Sequence, residues 1–64
     1  MKVSGNDLMY REEAGTYLRV PPATMSQWAY RGIGPEFFRV GRRVLYRRAD
    51  LDRWLESQRV VRTH

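Results

Sequence analysis

Between Arg19 and Gly34 the chain reads RVPPATMSQWAYRGIG. Two adjacent prolines precede a segment with helical spacing, and glycines follow it. Proline breaks a helix interior. It suits the first helical position, where its missing N–H would have no intrahelical partner anyway. Pro22 fits that position. Pro21 fits the N-cap site, because the residue before a proline is biased away from the α region. Gly32 supplies a left-handed C-terminal stop. The stretch therefore predicts a sharply bounded helix over about 22–31. Met25, Trp28 and Ala29 share one face at i, i+3, i+4 spacing. Trp28 reads as a core anchor on that face, not as a base-stacking platform. The opposite face presents Ala23, Ser26, Gln27, Tyr30 and Arg31.

Upstream, MYREEAGTYL predicts a helix over about 11–18, with Met9, Ala14, Tyr17 and Leu18 on one side. Glu12 and Glu13 in its first turn suit the positive end of the helix dipole. Tyr10 falls at its N-cap, where tyrosine is a poor capping residue. Two short helices joined by about three residues predict a helix-turn-helix. Downstream, FFRVGRRVLYR has strand composition on both sides of Gly41-Arg42-Arg43. It predicts a hairpin with its tip near 41–43. Phe38, Val40, Val44 and Tyr46 are expected on the core side. Phe37 and Leu45 are expected to point away from it. A third helix is expected at about 48–58, with Leu51, Trp54 and Leu55 as its buried stripe. The expected fold class is mainly α with a small two-stranded antiparallel hairpin, in the order α-α-β-β-α. Residues 8–58 form the domain, between flexible tails at 1–7 and 59–64.

The chain has 64 residues and a formal net charge of +5. A domain this small has a marginal core, and without cysteine no disulfide reinforces it. Lys2 is the only lysine among 12 basic side chains. From Arg31 to Arg48 stand Arg31, Arg39, Arg42, Arg43, Arg47 and Arg48, against the single acid Glu36. The remaining acids flank that stretch. The planar fork of arginine matches phosphate and guanine edges better than the point charge of lysine. A one-sided arginine cluster on so small a domain favours a nucleic-acid partner. Ser26, Gln27 and Arg31 are side chain types that can read base edges. No apolar run is long enough for a membrane span, and the N-terminus lacks the apolar stretch of a secretory signal. A soluble protein of the cytoplasm is the expectation. Catalysis is not expected: the only histidine is His64, and there is no Gly-rich phosphate loop or paired-carboxylate cleft. No cofactor and no metal are expected.

The order and spacing of Tyr10-Arg11-Glu12-Glu13-Ala14, Tyr17-Leu18, Thr24-Met25, Trp28, Arg39-Val40-Gly41, Val44, Tyr46-Arg47-Arg48 and Asp50-Leu51 with Trp54-Leu55 resemble the MerR-like winged helix-turn-helix family of excisionases. The resemblance covers about residues 9–56. It implies that the second helix enters the major groove of double-stranded DNA. It also implies that the hairpin tip, as a wing, meets the backbone or the adjoining minor groove. The positions carried over are Ser26, Gln27, Tyr30 and Arg31 on the helix, and Arg42 and Arg43 on the wing; Ala23 and Thr24 on the helix and Arg39 and Arg47 on the wing are further candidates for DNA contact. Gln27 stands where many relatives carry arginine, which weakens a guanine preference there. Pro21 stands where the family often has a serine cap.

Excisionases of phages bend DNA and bias a site-specific recombinase, the integrase, toward excision. The resemblance thus implies a protein acting on DNA in the cytoplasm of a bacterial host. No heptad run follows the third helix, so a coiled-coil dimer is not expected. A monomer in solution that self-associates on DNA is expected, with Phe37 and Leu45 as possible protein–protein contacts. Two other readings stay open: a small winged helix-turn-helix regulator of transcription, and an RNA-binding module that uses sheet aromatics.

Overall fold

The computed structural model describes residues 7–61. The tails expected at 1–7 and 59–64 lie outside the described residues, except for Asp7 and residues 59–61. The element order is β1 Leu8–Tyr10, α1 Arg11–Leu18, α2 Pro22–Arg31, β2 Phe38–Val40, β3 Arg43–Arg47 and α3 Arg48–Ser57. α1 and α3 pack against a three-stranded antiparallel sheet with strand order β1-β3-β2, and α2 packs on those two helices. The order is therefore β-α-α-β-β-α, where the sequence predicted α-α-β-β-α with two strands. The missed strand is β1. Its three residues are too few to display alternation, and Met9 also fits the helical spacing of Ala14, Tyr17 and Leu18. Met9 instead pairs with Tyr46 across the sheet. That pairing makes β3 the central strand and buries Tyr46 to 1% exposure.

The helix-turn-helix forms where the prolines place it. Pro21 is the N-cap of α2 with φ −59° and ψ 142°, Pro22 begins the helix, and Gly32 ends it at φ 72°. The carbonyl of Pro21 accepts from the N–H groups of Thr24 and Met25, which closes the first turn. α1 starts on Tyr10, whose backbone N–H donates to Glu13 Oε1 at 2.8 Å, the Glu13 half of a capping box. α1 ends at Arg19 in the left-handed region, φ 60°, with Val20 N–H donating back to the Gly15 carbonyl at 2.8 Å. The turn lies so close on α1 that a Cβ at Gly15 would stand 2.6 Å from the Val20 carbonyl oxygen. Only glycine lets the two helices meet at this angle.

The core comprises Met9, Ala14, Leu18, Met25, Tyr46 and Leu51, flanked by Val20, Trp28, Phe37, Val44 and Trp54. Trp28 of α2 packs on Trp54 of α3 with ring centroids 5.2 Å apart, as its anchoring role requires. Leu55, expected in the buried stripe of α3, is 42% exposed. Leu51 is buried and Trp54 half-buried, so the inward stripe of α3 stops short of Leu55. Tyr17 likewise stands at the edge, 41% exposed.

The hairpin differs from expectation in register. Val40 pairs with Arg43, so the loop is the two residues Gly41 and Arg42, with Gly41 at φ 61°. A glycine at positive φ in the first loop position is the pattern of a type II′ hairpin. Val44 faces the core, so Arg43 and its partner Val40 face away, and Phe38 with them. Phe38 is 41% and Val40 55% exposed. Phe37 takes the inward place, its ring 5.7 Å from that of Tyr46. The expected facing of Phe37 and Phe38 is therefore exchanged. Leu45 does lie on the outer face, half-buried between Tyr10 and Phe38.

Candidate nucleic-acid interface

α2 is held by its inner stripe and exposes the rest. Met25 is 1% exposed, and Trp28 and Ala29 are half-buried. Rotation by 3.6 residues per turn then puts Ala23, Ser26, Gln27 and Tyr30 in one outward row, with Arg31 beside it. All five are exposed, Tyr30 at 94%. Thr24 is half-buried, at the border between the two faces.

A cleft separates this helix from the wing. It is lined by Pro22, Ala23 and Ser26 of α2, by Arg42, Arg43 and Val44 of the wing, and by Tyr10, Arg11 and Glu12. The fold thus brings the first turns of α2 together with the arginines of the hairpin tip. The ion pairs among the described residues engage Arg47, Arg53 and Arg59, and none engages Arg42 or Arg43. Both tip arginines are exposed. No described carboxylate pairs with either one beside the N-terminal half of α2. Arg39 lies opposite Val44, exposed because β2 is an edge strand.

Arg47 is placed differently. It sits at the base of the hairpin, opposite Leu8, and also serves as the N-cap of α3. Its guanidinium lies 3.1 Å from Asp50 Oδ1 and 5.8 Å from the Phe38 ring centroid. Arg53 reaches the same carboxylate oxygen at 3.0 Å. Asp50 is only 5% exposed. A carboxylate buried that far needs charged partners, and two arginines provide them. Arg47 is thereby committed to the fold and does not join the cleft. The spacing Arg47–Asp50–Arg53 could have signalled this, since each pair is three residues apart.

Tyr10 and Arg11 are cleft residues that the sequence did not reveal as such. Only the pairing of β1 with β3 carries them to the wing, and that strand left no sequence signal. On the far side of α1 the Tyr17 hydroxyl donates to Asp52 Oδ1 at 2.5 Å, with the Arg48 guanidinium 6.0 Å from the ring. The bond to Asp52 holds the Tyr17 phenol above its ordinary value; slight desolvation and the Asp52 charge add to this, and Arg48 opposes it.

Residues 11–59 match the model of the helix-turn-helix domain family. The match spans most of the chain, and the protein belongs to that family. It is a DNA-binding helix-turn-helix domain. No curated protein matches the chain significantly. Among the described residues, no helix is long and apolar enough to cross a membrane.

Proposed function

We propose that the protein is an excisionase: it binds repeated sites on double-stranded DNA side by side, bends the duplex, and turns a phage integrase toward excision in the bacterial cytoplasm. The observation that carries this reading is the cleft joining the first turns of α2 to two arginines that pair with no described carboxylate. Residues 8–58 act as the DNA-binding unit. α2 enters the major groove, where Ser26, Gln27 and Arg31 meet base edges and Gln27 suits a bidentate contact with adenine. Ala23 and Thr24 approach the groove wall, and Tyr30 lies one turn further on. Arg42 and Arg43, with Arg39 behind them, contact phosphates or the minor groove.

One helix and one wing span only a few base pairs, and single modules bury a modest surface. Specificity then comes from several copies in contact. The outer face of the sheet supports this. Tyr10, Leu45 and Phe38 form a row across three strands, with Val40 beside it. Tyr10 is 49% exposed, and none of these four packs on the core. Leu45 stays a contact in this arrangement, while Phe38 and Tyr10 take the role expected of Phe37. Neighbouring copies would bend DNA at an elastic cost of roughly a few kcal/mol, offset by the added contacts.

Sedimentation without DNA, and mobility shifts on duplexes with one or several direct repeats, test the reading. A monomer in solution whose affinity per site rises with repeat number is expected. A footprint on the attachment site of a neighbouring integrase gene would locate those repeats. Gln27→Ala should cost about 1–3 kcal/mol on the footprinted site and much less on unrelated DNA. A stable free dimer, or equal affinity per site at every repeat number, would defeat the cooperative model. A small transcriptional regulator would then be the better description.

A further inference from the structure

The cleft between α2 and the wing has a third wall, formed by the start of α1. Arg11 is half-buried there, and its Nε donates to the Tyr46 hydroxyl at 3.4 Å. This bond is long and therefore weak, and it shares with the half-burial of Arg11 in limiting how the side chain can turn. Its acceptor is well fixed: Tyr46 is 1% exposed and sits in the central strand opposite Met9. The bond uses Nε alone, so the two terminal amino groups of the guanidinium keep all their donors. No ion pair with a described carboxylate engages Arg11. Arg11 therefore offers an oriented, uncompensated fork in the same cleft as Ala23, Ser26 and Arg42.

We infer that Arg11 binds a backbone phosphate of the strand lying between α2 and the wing, with Tyr46 as the residue that positions it; this rests on the α2–wing surface binding a duplex, as proposed above. A guanidinium grips phosphate through paired N–H groups, and such contacts fix the register of a protein on the duplex without reading sequence. Glu12 lines the same rim and repels phosphate, which confines the backbone to the side of Arg11. Arg11 thereby sets how deeply α2 sits, and Ser26 and Gln27 read bases from that depth.

The test is a salt titration of binding to a mixed-sequence duplex by the full chain, with Arg11→Gln, Arg11→Lys, Tyr46→Phe and the double variant Arg11→Gln/Tyr46→Phe. Arg11→Gln should weaken binding several-fold and lower the salt slope by about one. Arg11→Lys should restore the slope but not the full affinity, because lysine keeps the charge without the fork. Tyr46→Phe keeps the buried ring and should produce a smaller loss. The double variant should bind no more weakly than Arg11→Gln, because both substitutions act through one contact. An unchanged slope in Arg11→Gln would overturn the phosphate role. Losses from Arg11→Gln and Tyr46→Phe that simply add would overturn the positioning role. Failure of the unsubstituted protein to bind any duplex would instead remove the α2–wing reading, and this role with it.

Discussion

The two ends of the molecule use the same residue type for opposite purposes. At the closed end Trp28 meets Trp54, Phe37 meets Tyr46, and Asp50 holds both Arg47 and Arg53. At the open end Arg42 and Arg43 border a cleft with no described carboxylate paired to them. Arginine at the first end neutralises a buried acid and fastens the wing to α3. Arginine at the second end leaves its charge available. Position along one hairpin decides which role each has: Arg47 is at its base, Arg42 at its tip. Composition alone counts these arginines as one cluster. The fold divides them into arginines held by Asp50 and arginines with no described carboxylate partner.

The largest effect separating the two ends should come from Trp28→Ala. Truncating a large aromatic that packs on the core costs about 3–5 kcal/mol, which is much of the stability of a small domain. Loss of the cooperative melt by circular dichroism is expected. A folded variant that had lost only DNA binding would move Trp28 to the open end. Asp50→Ala should cost less, about 2–3 kcal/mol. Breaking a buried pair is expensive, but Arg53 is 67% exposed and regains water when its partner is lost. Its denaturation midpoint should fall, while the salt slope of DNA binding stays the same. A changed slope would mean that Arg47 reaches DNA once released.

Arg42→Ala combined with Arg43→Ala should show the converse pattern. Stability should shift by no more than about 0.5 kcal/mol, as for exposed positions without partners. Affinity should fall on every duplex, and the salt slope should drop by about one to two. An unchanged slope would take the tip out of the interface. The smallest effect concerns Tyr17, outside both ends. Its phenol is held above its ordinary value by the bond to Asp52, so the protonated form is favoured in the folded state. The resulting stabilisation is complete below the unfolded phenol value, and is lost as pH rises through the folded one. Asp52→Asn should return the Tyr17 titration toward normal, read as the absorbance difference from Tyr17→Phe. An unmoved titration would show that the Asp52 bond does not persist in solution.

The helix-turn-helix was legible because its boundaries are chemical. Pro21 and Pro22 restrict the backbone at the start of α2, and Gly32 freely takes the left-handed φ of 72° that ends it. The outward row on α2 followed from the inward Met25 and Trp28. The sheet was less legible for two separate reasons. β1 has three residues, and its pairing with β3 is a contact between distant parts of the chain. The hairpin faces turned on a single residue of loop length. Reading the tip as Gly41–Arg43 pairs Val40 with Val44 and turns Phe38 inward, whereas the observed pair Val40–Arg43 sends both outward. The cleft inherits both problems. Its α2 and tip residues came from local pattern, and Tyr10 and Arg11 only from the closed sheet.

Arg47 ends β3 and Arg48 begins α3, with no residue between them. The central strand of the wing therefore continues directly into a packed helix and is hydrogen-bonded along both edges. A hairpin on a loose linker would lose conformational entropy when it met DNA. Here that entropy is lost during folding, before any ligand arrives. Preorganisation of this kind leaves more of each phosphate contact as net affinity. It also sets a kinetic and calorimetric signature: association without a slow rearrangement step, and a heat-capacity change no larger than the buried interface requires.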